Sequence, residues 1–376
     1  MTNGTSPTDP KAIERVTSGA AWRDFCDRLR DAGEGVLRGP DDPLTRAEGF
    51  RYLCRLVRAG LETFVEENDP LSPRLMRVVH ETVKMGADNP DNFYQNACIS
   101  GRNRYRIVGR RGTVHYLGFA TQIGSYGQGR GMPPTGHLDG RDLVLDADGG
   151  FVIELACERP PEAKNWLPMT PETGTLIVRQ SRLDPKTETL AELRLERVGE
   201  RVAPAPLAAA QLDAGLGSAG MLVAGASMIF AGWAEGFQKH TNQLPRFDPA
   251  ISLAMGGVPD IAYYHSYWRL ADDEALVIEA TPPRCDHWNF QLNNHWMESL
   301  DYRHHRIHVN SKTATARADG SVRVVVAHRD PGAPNWIETA GHTFGTMCWR
   351  WVRPEVEPPP EPSCRVVLVR DVAALG

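Results

Sequence analysis

Apolar and polar positions alternate with a period that changes several times along the chain, and each change marks a new kind of element. From Ala21 to about Leu37, and again from Thr45 to Glu66, apolar residues recur at helical spacing: Trp22, Phe25, Cys26 and Leu29, then Phe50, Leu53, Cys54, Val57, Leu61, Phe64 and Val65. These runs predict amphipathic helices that cap a core. Asp69-Pro70, Ser72-Pro73 and Asn89-Pro90-Asp91 then break the helical regime. From Arg104 the runs YRIVG, TVHYLGFATQI, RDLVLD, FVIELA and TLIVRQS are short, β-branched and aromatic, and they predict antiparallel strands. The stretch DADGG at 146–150 reads as a hairpin turn between LVL and FVIEL, because Asp and Gly tolerate the left-handed backbone such a turn needs. Asp319-Gly320 repeats the device between TATARA and SVRVVVA. Residues 201–245 turn helical again, and strands resume at Tyr263 and run to Val369 with a Pro-rich break at 357–363.

The pattern predicts a mainly β protein with α additions, built as two antiparallel β-sandwich (jelly-roll-like) lobes plus N-terminal and connecting helices. The expected divisions are a helical region at 1–85, a first β lobe at 86–200, a helical connector at 201–258 and a C-terminal β lobe at 259–376. A chain of 376 residues is longer than one core usually supports. No exact repeat is visible, but the two similar hairpins suggest related sandwiches.

Composition narrows the partners. A net charge of -5 leaves no excess of positive charge to neutralise phosphates, so nucleic acid is not an expected partner. The N-terminus lacks the basic start and apolar core of a signal peptide, and the most apolar stretch, Gly220 to Trp233, is short enough to read as a buried helix rather than a membrane contact. Seven scattered cysteines, odd in number and never spaced as CxxC, fit a reducing cytoplasm better than a disulfide framework. The glycine-rich stretch 124–140 lacks the lysine of a phosphate loop and reads as a mobile surface loop, with a lid role open.

Candidate chemistry concentrates between residues 260 and 352, which hold eight of the twelve histidines and six of the nine tryptophans. A binding pocket combines apolar walls with a few convergent polar groups. Trp288 and Trp336, with Trp296, are candidate walls, and Asn293, Asn310 and Asn335 candidate hydrogen-bonding groups. Arg284 and Arg350, with Arg179 from the first lobe, are candidates to hold a carboxylate or phosphate through paired N–H contacts. If the run from 287 to 295 stays extended, His287, Asn289, Gln291, Asn293 and His295 share one face and Trp288, Phe290 and Leu292 the other. His287 beside Asp286, His295 across that face, and His342 after Gly341 are the candidate proton carriers. The histidine spacings match no zinc motif, and His304, His305 and His308 sit among Arg303 and Arg306, which disfavours a cation. No metal and no cofactor are therefore expected. GxSxG is absent, so a serine nucleophile has little support.

The C-terminal third resembles a known bacterial family, domain of unknown function 1214. The likeness rests on the EALVI strand, the PPRCDHWNFQL segment, DPGAPNWIETAGHTFG and the terminal RW, in order and at similar distances. GFRYL, NPDNFY and YRIVGRRGTVHYL are similar to its longer members, so the resemblance spans residues 20 to 370. It implies a β-sandwich with helical additions and no established common reaction. Members often occur among genes for breaking down aromatic or steroid-like compounds, which implies hydrophobic substrates with polar ends. One departure is DHW, where an aromatic residue often precedes the Trp, so that His287 sets this chain apart.

The expected function is a catabolic, cofactor-independent lyase or decarboxylase for a small aromatic or hydrophobic acid, with Arg holding the acid and His moving a proton. The alternatives are a hydrolase using a His-activated water and a non-catalytic carbohydrate- or ligand-binding sandwich. A homodimer is left open.

Overall fold

The computed structural model describes residues 9–123, 132–200, 203–255 and 257–375. Three helices open it: α1 (Pro10–Thr17), α2 (Ala20–Arg38) and α3 (Pro43–Leu61). α1 is too short to announce itself by periodicity, but Asp9 accepts the Lys11 N–H and Pro10 presets the first helical φ. Among the described residues the strands come in two sets of eight. The first set is β1 (Asn92–Cys98), β2 (Tyr105–Arg110), β3 (Tyr116–Gln122), β4 (Pro134–Asp139), β5 (Gly150–Ala156), β6 (Asn165–Pro168), β7 (Thr175–Ser181) and β8 (Glu192–Arg197). After α4 (Ala209–Phe237) and α5 (Pro249–Ala254) comes the second: β9 (Ile261–Arg269), β10 (Glu274–Ala280), β11 (His287–Leu292), β12 (His308–Asn310), β13 (Val322–Ala327), β14 (Trp336–Glu338), β15 (Phe344–Val352) and β16 (Ser363–Leu368).

The chain divides into two compact units, one of residues 1–36, 53–83 and 91–226, the other of residues 37–52, 84–90 and 227–376. In the first, the sheets β6-β5-β2-β8 and β1-β7-β3-β4 enclose a core of residues such as Tyr105, Phe119, Ile153, Leu167 and Val178. In the second, β14-β13-β10-β16 and β12-β11-β15-β9 enclose Trp268, Leu276, Trp288, Phe290, Val324, Trp349 and Trp351. Replacing each strand of the first lobe by the one eight places later reproduces the second lobe's strand orders. The protein is an internal duplication, visible in topology although no sequence repeat is.

Side-chain devices are duplicated too. Asn165 donates to the carbonyls of Val144 and Val152 and accepts the Val144 N–H at 2.7 Å. Asn335 does the same with Thr315 and Arg323, accepting the Thr315 N–H at 2.8 Å. The following indoles, Trp166 and Trp336, donate to Ala156 O and Ala327 O. The two predicted turns also match. Gly149 and Gly320 both sit at positive φ, 79° and 81°, closing the turns before β5 and β13.

Three sequence expectations need correction. RDLVLD and TATARA are not strands, because an Asn side chain rather than a neighbouring strand satisfies their backbone at Val144 and Thr315. β1 lies inside the expected lobe at 86–200 but precedes the strand runs read from Arg104, since the amides in NFYQNAC hide its alternation. The sheets are antiparallel except for β5–β6 and β13–β14, which pair in parallel. The stretch 124–140, read as a mobile loop with a lid role open, holds β4 at residues 134–139 and is no loop there, while its residues 124–131 lie outside the described residues.

α4 is longer than the apolar run Gly220 to Trp233. By length and hydropathy Ala209–His240 meets the requirement for crossing a bilayer, with half of its most apolar window buried in the protein. In the first unit its Leu216 and Ala219 pack on Ala21 and Phe25. Gly60 makes that close approach possible, because a Cβ there would lie 3.1 Å from Ala219 Cα.

The Asn335 brace is testable. Asn335→Ala strands one buried N–H and two carbonyls, so urea unfolding should show about 2–4 kcal/mol lost at constant m-value. An equal midpoint for variant and wild type would refute the bracing role.

Candidate functional site

In the C-terminal unit the β12-β11-β15-β9 sheet has an unusual second face. Its inner face is the aromatic core, with Trp288 stacked on Trp349 at 4.8 Å. Strand alternation turns the other residues of the same strands outward from that core, yet they are buried as well: Asn289, Gln291, Thr346, Arg350 and His265 are all under 8% exposed. Register aligns them in rows, Asn310–Asn289–Arg350–Tyr263 and His308–Gln291–Cys348–His265.

Residues 84–90 cover part of this face. Arg350 Nη1 donates to Gln291 Oε1 at 2.7 Å and to Asn289 Oδ1 at 3.4 Å, and Nη2 donates to Ala87 O. Gln291 Nε2 reaches Asp88 O, and Asn289 Nδ2 reaches Asn89 Oδ1. The covering segment is held in the left-handed region at Gly86 (φ 63°) and Ala87 (φ 57°). Gly86 admits no side chain, since a Cβ would meet the Phe230 ring at 2.7 Å. Asp88 is buried, which raises its carboxyl pKa against the pull of Lys84, Ser299 and Arg350. Lys84 Nζ donates to Ser299 O and Leu300 O, both at 2.7 Å.

Two buried histidines sit on or beside the face. His265 stacks between Phe237 and Tyr263, each 5.6 Å away and nearly parallel, with Phe247 edge-on at 5.2 Å. Burial, and then the nearby Arg350 charge, push it down to about 3. Its Nε2 lies 3.9 Å from Cys348 Sγ, a thiol that burial pushes up to about 11. His295 follows the end of β11 in a turn, with Nδ1 3.0 Å from the Tyr267 hydroxyl, and burial pushes it down to about 4. Burial raises the Tyr267 phenol. At neutral pH this is a set of neutral donors and acceptors beside one guanidinium.

His342 belongs to a different arrangement. Its Nε2 meets Glu48 Oε2 at 2.9 Å and its Nδ1 meets the carbonyls of Thr339 and Ala340, both at 3.1 Å. Both nitrogens face acceptors, so the ring is an imidazolium with no free edge for chemistry. Burial works against that charge, but the hydrogen bond and charge of Glu48 outweigh it and raise the pKa. Burial likewise opposes ionisation of Glu48, and His342, Arg51 and Asn294 outweigh it and lower the pKa.

The other sequence candidates divide clearly. Asn293 accepts from Gln291 and donates to Thr346, so it joins the polar face. His287 is buried at the start of β11, opposite Val352, and its neighbour Asp286 pairs with Arg353. Arg284 is exposed and pairs with Glu355. Trp288 lies in the sandwich core, and Trp336 packs beside Ala275 and Val325. Asn310 caps a turn by accepting the Lys312 and Thr313 N–H groups, and Asn335 is the brace described above. Arg179 belongs to the N-terminal unit, on β7 between Tyr94 and Gly118. The expectation that these groups form one pocket is replaced by a sheet face, because the strand pairs His265, Tyr267 and Cys348 with positions of the same parity. Those three were not candidates from sequence, although the alternation in YYHSYWR and GTMCWRW carries the signal. Among the described residues no group of three His, Cys, Asp or Glu is placed to hold a metal ion.

The fold and this face define a duplicated β-sandwich protein with a polar, buried sheet face in its second copy. A family model described as a protein of unknown function (DUF1214) matches residues 130–183 and 271–356. A crystal structure of an uncharacterised protein from Burkholderia cenocepacia is 50% identical, with a TM-score of 0.92, over 96% of this chain and all of that one. The chain belongs to this family of unknown function. The VPA0106 protein from Vibrio parahaemolyticus shares the fold, at 12% identity and a TM-score of 0.51 over 90% of this chain and all of that one. No curated protein matches.

The Glu48–His342 pair predicts a pH window. His342, raised above 6.5, contributes fully below that value and loses its contribution as pH rises through its folded pKa; Glu48, lowered below 4.5, contributes above that value and loses it as pH falls through its folded pKa. The destabilisation caused by Glu48→Ala should therefore peak between pH 4.5 and 6.5, reaching about 3–5 kcal/mol there. Denaturant titrations across pH test it, and a pH-independent difference would remove the ion pair from the account.

Proposed function

We propose that this protein is a catabolic enzyme for a small aromatic or otherwise hydrophobic carboxylated compound, working without a bound cofactor as a lyase of the decarboxylase type. The polar face of the β12-β11-β15-β9 sheet is its site. The observation that carries the reading is the pair of buried, neutral histidines flanking one strand, His265 on β9 and His295 bonded to Tyr267 two residues on. Decarboxylation leaves an electron pair that must be accepted, most readily by a carbonyl oxygen that becomes an enolate. Neutral donors fixed in a dry site stabilise such an oxygen without reorganising. The Arg350 charge adds positive potential, although its terminal nitrogens already bond Gln291, Asn289 and Ala87, so it acts through its field rather than as a carboxylate fork.

The hydrolase alternative fits less well, because activating a water needs a base with a pKa near the working pH, and these imidazoles lie at about 3 and about 4. A carbohydrate-binding module needs coplanar exposed aromatic rings, whereas Trp268, Trp288, Trp296, Trp349 and Trp351 are all buried.

The test is release of carbon dioxide from a panel of aromatic 3-oxo acids. Tyr267→Phe and His295→Phe should each lower kcat by about a hundredfold with KM little changed, the loss expected for one oxyanion donor. Absence of carbon dioxide from every acid in the panel, or undiminished kcat in both variants, would sink the reading.

A further inference from the structure

We propose that the edge of His265 receives an uncharged oxygen, a ketone carbonyl or a hydroxyl, carried on an aromatic ligand. This rests on the reading of the polar sheet face as a site and names the group that the site recognises. Among the described residues no partner reaches Nδ1 of His265, although the residue is only 7% exposed. A buried ring nitrogen left without a partner loses its hydration for nothing in return, so a ligand atom is the natural complement.

The surroundings specify that atom. The Tyr263 and Phe237 rings lie nearly parallel to the imidazole, each 5.6 Å away, Arg350 lies 5.7 Å over the Tyr263 ring, and Phe247 and Trp233 stand around the stack. Only the ring edge is left to bond, and the walls beside it are aromatic. A neutral imidazole carries one N–H. If the Cys348 thiol donates to Nε2, that N–H is on Nδ1 and meets a carbonyl; if the thiol donates to Trp349 O, 3.7 Å away, Nδ1 is bare and meets a hydroxyl. Either way the match in the bound ground state is an uncharged oxygen, because a full charge brought in from water would bear the same desolvation that keeps the imidazole neutral. Charge that develops on an oxygen already bound does not bear that cost.

The duplication supplies an independent argument. Register places Asn96 and Ile177 of the first lobe where the second has His265 and Cys348, counting from the equivalent pairs Tyr94–Arg179 and Tyr263–Arg350. The same fold therefore forms without this histidine and thiol. Their presence in one copy points to a ligand rather than to packing.

The test uses the whole protein with acetophenone, ethylbenzene and benzoate as probes, followed by nitrogen NMR of labelled histidine and by calorimetry. Acetophenone should move the His265 Nδ1 resonance and bind about tenfold tighter than ethylbenzene, and His265→Phe should erase that preference while leaving ethylbenzene unchanged. His265→Asn combined with Cys348→Ile, the residues of the first lobe, serves as the folded control if the phenylalanine variant is unstable. An unmoved resonance with equal affinities overturns the proposal, as does tighter binding of benzoate. Acetophenone binding at Nδ1 without any decarboxylation leaves this inference standing and removes the enzyme reading. An unmoved resonance with equal affinities, found together with carbon dioxide release that falls in Tyr267→Phe and His295→Phe, does the reverse.

Discussion

A sheet face that is both polar and dry must find an internal partner for nearly every donor and acceptor, and that requirement organises the C-terminal unit outside its sandwich core. Each unanswered group costs about 1–3 kcal/mol, enough that a few would cancel the stability of a domain. Residues 84–90 answer Arg350, Gln291 and Asn289 with backbone and amide groups, and they do so in a left-handed conformation that Ala87 would not choose by itself. The start of α3 answers the turn after β11: Thr45 O accepts the Trp296 indole N–H at 2.7 Å, and Glu48 takes both Asn294 and His342. Helix and segment are distant in sequence from the sheet, and polar satisfaction rather than propensity explains why they belong to its unit.

The duplication separates what the fold needs from what the second copy adds. Asn165 and Asn335, the indoles that follow them, and the glycine turns occur in both lobes and perform the same bracing. Of the face residues, Tyr263 and Arg350 recur as Tyr94 and Arg179, and their neighbours do not. Opposite Arg179 the first lobe has Gly118, and opposite Ile177 it has Ala120, where the second lobe has Asn289 opposite Arg350 and Gln291 opposite Cys348. A sandwich of this topology thus forms with Gly118, Ala120 and Ile177 at the positions of Asn289, Gln291 and Cys348.

Legibility in the sequence followed local periodicity. The alternation from His287 to Leu292 is strong enough to place Trp288, Phe290 and Leu292 in the core and Asn289 and Gln291 on the other face, and the two glycine turns announced related lobes. His295 was read onto the same face, but the strand ends at Leu292 and Met297 turns the chain at φ 58°, so His295 reaches Tyr267 from a turn instead. Asn310, Asn335 and Trp336 were read as site groups because amides and indoles are common in pockets, whereas here each satisfies nearby backbone. Glu48 and Asp88 escaped notice because nothing local links them to residues more than two hundred positions away. Such pairings are fixed by tertiary contacts that no window of sequence contains.

Histidine density first points to bases, yet the electrostatics of the face point to donors. An aromatic surround ordinarily favours an imidazolium through the negative faces of the rings. Around His265 two effects oppose that: removal from water, and the like charge of Arg350 over the neighbouring Tyr263 ring. Together they leave a neutral ring whose single N–H can be directed by the Cys348 thiol. A base at this place would be protonated only in strong acid, but a neutral donor beside a fixed positive charge suits a reaction in which negative charge grows on oxygen. The same residues that disqualify the face as a proton acceptor at neutral pH favour the proposed decarboxylase over a hydrolase, since neutral donors can stabilise an enolate.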